Sequence, residues 1–205
     1  MQFVVLSSSR GTTFRAVLDR IADGSLTAVC KGLVTDSNDR ECIQKAKAAN
    51  LPVVIVEKEK GENREEYDQR LHEKILELFG DDEDEPKVIA ALGWMFIFSS
   101  WFIDLWQSRI LNVHPALLPK HGGKGMYGMR VHEAVLRSGD TESGITIHLM
   151  DEGVDTGPIL EQKTCSIEQD DTPETLKEKV QGLEKEWYPT VLQGIQTKEL
   201  LLPSS

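Results

Sequence analysis

Long apolar runs are missing from this chain of 205 residues. Nothing in it approaches the roughly 18 consecutive apolar residues of a membrane-spanning helix, so no membrane segment is expected. Cysteine is scarce. Cys30, Cys42 and Cys165 form an odd, widely spaced set, with neither zinc-ligand spacing nor the even count of a disulfide framework. They read as packing residues in a reducing cytoplasm, and no metal is expected. Positive charge is in deficit: 23 Lys and Arg against 34 Asp and Glu leave a formal net charge of −11. A nucleic-acid binder needs a basic face to displace counterions, so that class is set aside. The start of the chain has no basic stretch, because Met1-Gln2-Phe3-Val4-Val5-Leu6 runs straight into Ser7-Ser8-Ser9. It does not read as a signal peptide. No internal repeat and no domain-separating linker is visible, and one domain over residues 1–205 is expected.

What is present alternates. Phe3-Val4-Val5-Leu6 reads as a buried strand, and a small-residue turn with Arg10, Gly11, Thr12 and Thr13 follows it. Phe14, Val17, Leu18 and Ile21 then recur at helical spacing. Strand, tight turn and helix together aim backbone N–H groups and a helix dipole at an anion, with Thr12 or Thr13 as the expected cap. A plain connecting turn fits the same residues, since neither phosphate-loop nor dinucleotide glycine spacing is present. Strands are expected at 27–34 and 52–56, helices at 39–50 and 64–79. Lys87-Val88-Ile89-Ala90-Ala91-Leu92 reads as a central strand, buried on both faces. The acidic run Asp81-Asp82-Glu83-Asp84-Glu85 before it reads as a solvated loop. Further helices are expected at 101–106, 129–137 and from the Thr172-Pro173 cap to about 195, with a loose tail beyond. Strands are expected at 109–112, 143–150 and 159–167. The fold class that follows is α/β: a Rossmann-like, mostly parallel sheet with helices on both faces.

Two stretches carry chemistry. Leu111-Asn112-Val113-His114-Pro115-Ala116-Leu117-Leu118-Pro119 places an amide and an imidazole two residues apart at a strand end. On extended backbone both then point to one face, and strand ends in α/β sheets are where ligands dock. An amide donor beside a proton-transferring imidazole suits a reaction that passes through an oxyanion. A turn asparagine and a histidine with an ordinary polar partner would look the same. The second stretch, Asp151-Glu152-Gly153-Val154-Asp155-Thr156-Gly157-Pro158, sets two acids and two glycines in a tight loop. Between them lies the glycine-rich 121–128 segment, readable as a mobile cover for a site. Upstream, Gly93-Trp94-Met95-Phe96-Ile97-Phe98 is a bulky stretch that could line an apolar pocket or pack a core.

Together these two motifs resemble the folate-dependent formyltransferases, and the similarity runs from Val4 to about Leu192. The resemblance implies the formyltransferase fold. It also implies 10-formyltetrahydrofolate as co-substrate and the amine of 5'-phosphoribosylglycinamide, a purine precursor, as acceptor. Position by position, Asn112, His114 and Asp155 match the family's catalytic set: oxyanion donor, proton shuttle, and the acid that orients and charges the shuttle. Gly11, Thr12 and Thr13 match its phosphate loop, and Gln181 and Glu184 its ribonucleotide contacts. Arg64 matches the arginine that meets the folate tail. Met95, Phe96, Ile97 and Phe98 match the folate pocket, and the loop from Asp151 to Asp155 matches the one that closes on the pterin. The resemblance thus puts the phosphate and ribonucleotide side in about residues 1–100 and the catalytic and folate side in about 88–160. The chain departs from the pattern at Thr13, where the family carries Asn, and at Phe96, where many members carry Arg. At Thr13 a hydroxyl is expected to serve the phosphate in place of the amide, with Arg10 in support. Three rival readings are a formyltransferase for another amine such as an amino-sugar nucleotide, a formyltetrahydrofolate hydrolase, and a non-catalytic binder.

Overall fold

A computed structural model describes residues 1–81 and 85–203. Seven strands form one sheet: β1 (Gln2–Leu6), β2 (Val29–Thr35), β3 (Val53–Ile55), β4 (Lys87–Ala91), β5 (Ile110–His114), β6 (Glu142–Leu149) and β7 (Ile159–Ser166). Six helices connect or follow them: α1 (Thr12–Ala22), α2 (Cys42–Ala48), α3 (Arg64–Phe79), α4 (Ser100–Leu105), α5 (Met129–Ser138) and α6 (Pro173–Gln196). The strand order is β3-β2-β1-β4-β5-β6-β7. The first five strands pair in parallel and the last two antiparallel. The chain winds outward from β1 to β3, then crosses back to start again at β4. The β1–β4 seam is therefore a topological switch point, where the loops leaving the two strands diverge and a crevice opens.

The strand sequences are continuous in apolar residues because both faces are covered. Phe3, Val5, Val88 and Ala90 face one core, against Phe14 and Val17 of α1, Cys42 and Ala46 of α2, Val131 of α5 and Tyr188 of α6. Val4, Leu6, Ile89 and Ala91 face the other, against Tyr67, Leu71 and Ile75 of α3 and Phe102 of α4. The two faces alternate residue by residue, as the strand's two-residue period requires.

Several expected boundaries move. Helix α2 is shorter than 39–50, because Arg40 is drawn back onto Asp36 at 2.7 Å and holds residues 36–40 as a turn. Neither Thr12 nor Thr13 caps α1. The cap position is Gly11, at φ 73° and with no side-chain hydrogen bond. A Cβ there would meet that of Cys42 at 2.8 Å, so the residue is glycine for both reasons. As far as Pro203 the tail beyond α6 is not loose, and residues 204–205 of the tail lie outside the described residues. Lys198 turns the chain through a left-handed conformation, the Leu200 amide donates to the Gly194 carbonyl, and Leu200 and Leu202 pack on the core. Of the acidic run at 81–85, Asp82, Glu83 and Asp84 lie outside the described residues. Glu85 pairs with the Met1 ammonium at 2.6 Å.

Candidate active site

A cavity of about 670 Å³ opens at the β1–β4 switch point and extends to the ends of β5 and β6. That is in the upper half of the range for small-molecule sites. One stretch of wall is apolar. Trp94, Met95, Phe96, Ile97 and Phe98 line it, backed by ring contacts from Phe96 to Tyr67 at 5.1 Å and from Trp94 to Phe98 at 6.4 Å. Met95 and Ile97 stay exposed while Phe98 is buried. The segment is thus part cavity wall and part core.

Another stretch of wall is polar. The first turn of α1 faces the cavity through Thr12 and Thr13, without a side-chain cap to occupy its N–H groups. The Gly11 amide is already taken by Ser9 Oγ at 3.1 Å. Gln181 and Glu184 reach the same space from α6. Thr13 Oγ1 donates to Glu184 Oε2 at 2.9 Å, so the hydroxyl expected at the phosphate has a partner on α6. Burial raises the Glu184 carboxyl above its ordinary value, against the Thr13 hydrogen bond.

Asn112 and His114 also line the cavity. Strand register places them opposite His148 and Thr146 of β6. His148 Nδ1 lies 2.9 Å from the Leu149 carbonyl, which can only accept, so Nδ1 carries the hydrogen. Its Nε2 lies 3.0 Å from the Asn112 amide nitrogen and 3.7 Å from Asp155 Oδ1, so it accepts from Asn112 when it carries no hydrogen and donates toward the carboxylate when it does. Asn112 keeps a second amide hydrogen for a ligand. Below it, His114 Nε2 donates to the His121 carbonyl at 2.8 Å, and Nδ1 faces Asp155 Oδ2 at 3.3 Å.

Asp155 is presented by the loop that follows β6. It sits at φ 61°, and its Oδ2 accepts from the Gly123 amide at 3.0 Å. Asp151 builds that loop, its Oδ1 accepting from the Gly153 amide at 3.1 Å and from the Thr156 hydroxyl at 2.7 Å. Burial disfavours the Asp155 charge, but contacts with His148 and His114 and the Gly123 amide outweigh it and hold the carboxyl below its usual range. Burial pulls His114 the other way from Asp155. Its pKa falls below the ordinary histidine value although the Asp155 charge and the His121 carbonyl both raise it. The arrangement is a neutral imidazole beside an ionised carboxylate, next to an oriented amide donor.

The model of the formyl transferase family matches residues 1–192. The chain belongs to the formyl transferase family. Among its relatives is the Bacillus subtilis phosphoribosylglycinamide formyltransferase, 33% identical over 194 residues, covering 95% of this chain and 94% of the relative. The chloroplastic phosphoribosylglycinamide formyltransferase of Arabidopsis thaliana is 34% identical, covering 95% of this chain and 65% of that one. The solved Coxiella burnetii phosphoribosylglycinamide formyltransferase superposes with a TM-score of 0.88 at 31% identity, covering 100% of this chain and 90% of that one.

In this formyl transferase the cavity gathers all but one of the residues expected at the site. Arg64 is the exception: it opens α3, is exposed, and does not line the cavity. Three residues were missed. His148 needs the β5–β6 register to be seen as a neighbour of Asn112. His132, buried on α5, lines the cavity with its Nδ1 unpartnered among the described residues. Lys177 stands four residues before Gln181 on α6, a spacing visible in the sequence. Among the described residues no cluster of three or more His, Cys, Asp or Glu could hold a metal, and no helix is long and apolar enough to cross a membrane.

Proposed function

We propose that this formyl transferase moves the formyl group of 10-formyltetrahydrofolate to the amine of 5'-phosphoribosylglycinamide, a step of purine synthesis. The observation that carries the reading is the meeting of Asn112, His114 and Asp155 in one cavity. That cavity offers a flat apolar wall for the folate and an uncapped helix start for the phosphate. The Bacillus and Coxiella relatives supply the acceptor's identity through their names. Three unbonded cysteines suit the reducing cytoplasm as its location.

The chemistry follows from the donor set. The amine nitrogen attacks the formyl carbon, a C–N bond forms, and the carbonyl oxygen becomes an oxyanion. Asn112 meets that oxygen with the amide hydrogen not spent on His148, a fixed donor that needs no reorganisation. His114 takes the proton released by the attacking nitrogen. The proton settles on Nδ1, the ring nitrogen that carries none, and Asp155 beside it stabilises the imidazolium. The proton passes to N10 of the folate as the C–N10 bond breaks, leaving tetrahydrofolate and the formylated amide. Met95, Phe96, Ile97 and Phe98 form the folate wall, and the loop from Asp151 to Asp155 closes beside it.

The test is a spectrophotometric assay of the purified protein with a 10-formylfolate donor. Turnover only in the presence of the ribonucleotide is expected. Turnover without any acceptor would make the protein a hydrolase, and turnover with a different amine only would replace the acceptor.

A further inference from the structure

On α6, Lys177, Gln181 and Glu184 are separated by four and three residues and so lie along one helical face. All three line the cavity. Lys177 is half-buried and, among the described residues, makes no hydrogen bond or ion pair. Two lysines on α6 and β7 are engaged, while Lys185 of α6 is exposed and unpaired among the described residues. Lys179 is bound to Asp171 at 2.6 Å, and Lys163 to Glu161 at 3.1 Å. The charge of Lys177 is felt on two sides, at His132 of α5 and at Glu184 of α6. An ammonium held partly out of water inside a binding cavity, with no carboxylate among the described residues within ion-pair distance, is open to an anion.

The start of α1 lies beside this face, and its one cavity-lining cation is Arg10. At the start of α1 the phosphate would meet backbone N–H groups and the Thr12 hydroxyl. The Thr13 hydroxyl donates to Glu184, and the Glu184 carboxyl is the side chain beside it. A phosphate carrying close to two negative charges at neutral pH needs a positive charge there. Arg10 is exposed at the rim, where water and salt screen it. Lys177 is screened less because it is half-buried.

We propose that Lys177 is a binding residue for the acceptor's phosphate, reaching it from α6 beside the first turn of α1. The proposal rests on the acceptor being a phosphoribosyl amine. It makes Lys177 the selector for phosphorylated over phosphate-free acceptors, and assigns Arg10 a minor share.

The test combines a binding and a kinetic measurement. Ribose 5-phosphate is titrated by calorimetry into the wild-type protein, Lys177→Met and Lys177→Arg, each first checked for an unchanged melting temperature. Binding by Lys177→Met is expected to weaken about 10- to 100-fold, the range for a charge-assisted contact, with Lys177→Arg restoring most of it. Arg10→Met is expected to weaken binding only a few-fold, as for an exposed charge. In turnover, Lys177→Met should raise KM for the ribonucleotide and leave KM for the folate unchanged. It should also leave kcat/KM for the phosphate-free riboside as in the wild type. Unchanged ribose 5-phosphate binding in Lys177→Met, or equal losses with both acceptors, would overturn the proposal. Should the wild type bind ribose 5-phosphate through Lys177 yet formylate neither acceptor, the functional reading fails and the phosphate site stands.

Discussion

The amide nitrogen of Asn112 and Nε2 of His148 lie 3.0 Å apart, on residues that the β5–β6 register sets directly opposite one another. In the neutral ring the bond runs from Asn112 to His148, since the Leu149 carbonyl holds the hydrogen on His148 Nδ1. His148 therefore orients the oxyanion donor without touching the substrate. Truncating it as His148→Ala should lower kcat by about 10- to 100-fold, less than loss of the donor itself, with both KM values little changed. In the double variant with Asn112→Ala the losses should not add, because both remove one device. Additive losses in kcat would mean that His148 acts on the reaction by another route.

Asp155 bears on His114 in a way that titration reads directly. Its charge is the largest influence raising the His114 pKa against burial. Asp155→Asn should therefore move the His114 titration further below its ordinary value, measured by NMR on ring-labelled histidine. Turnover should fall about 100- to 10,000-fold, as for loss of a positioned acid–base partner. Asparagine is the right replacement because it tolerates the positive φ of this position. An unmoved or rising His114 titration would remove Asp155 from its role.

Much of this was legible in the residues. Central strands such as Lys87–Ala91 announce themselves by continuous apolar runs, and α3 by the spacing of Tyr67, Leu71 and Ile75. Asn112 and His114 were legible because a strand's period places i and i+2 together. The α1 cap was not, because threonine favours a cap locally while the approach of α2 demands glycine at position 11. His148 and His132 were hidden for a related reason. Their value at the site comes from strand register and helix packing, which link residues tens of positions apart.

Tyr188 ties the longest helix to the catalytic strand. Its hydroxyl, fully buried on α6, donates to the Leu111 carbonyl at 3.0 Å, one residue before Asn112. Tyr188→Phe keeps the ring and removes only that bond, so the expected cost is about 1–2 kcal/mol in urea unfolding. The same variant should lower kcat severalfold through a less firmly held β5. Unchanged stability would mean that the Leu111 carbonyl finds another donor.

His132 ties stability to pH. It is 3% exposed, its Nδ1 has no partner among the described residues, and burial together with Lys177 and His114 pushes its pKa down to about 4. The unfolded chain titrates near 6.5. Above that value both states are neutral and the stabilisation is fully present. As pH falls from about 6.5 toward 4 the unfolded state takes up a proton that the folded state refuses, and stability is lost. Below about 4 both are protonated and the loss is complete, at most about 3 kcal/mol. His132→Gln abolishes the titration. Asp68 and Glu184, whose carboxyls burial raises, act in the opposite sense over part of this range. The readout is therefore the difference between the two proteins and not the slope of either. Urea midpoints for wild type and His132→Gln should converge as pH drops from about 7 to about 5. A constant gap over that interval would show that His132 takes up its proton equally well folded and unfolded.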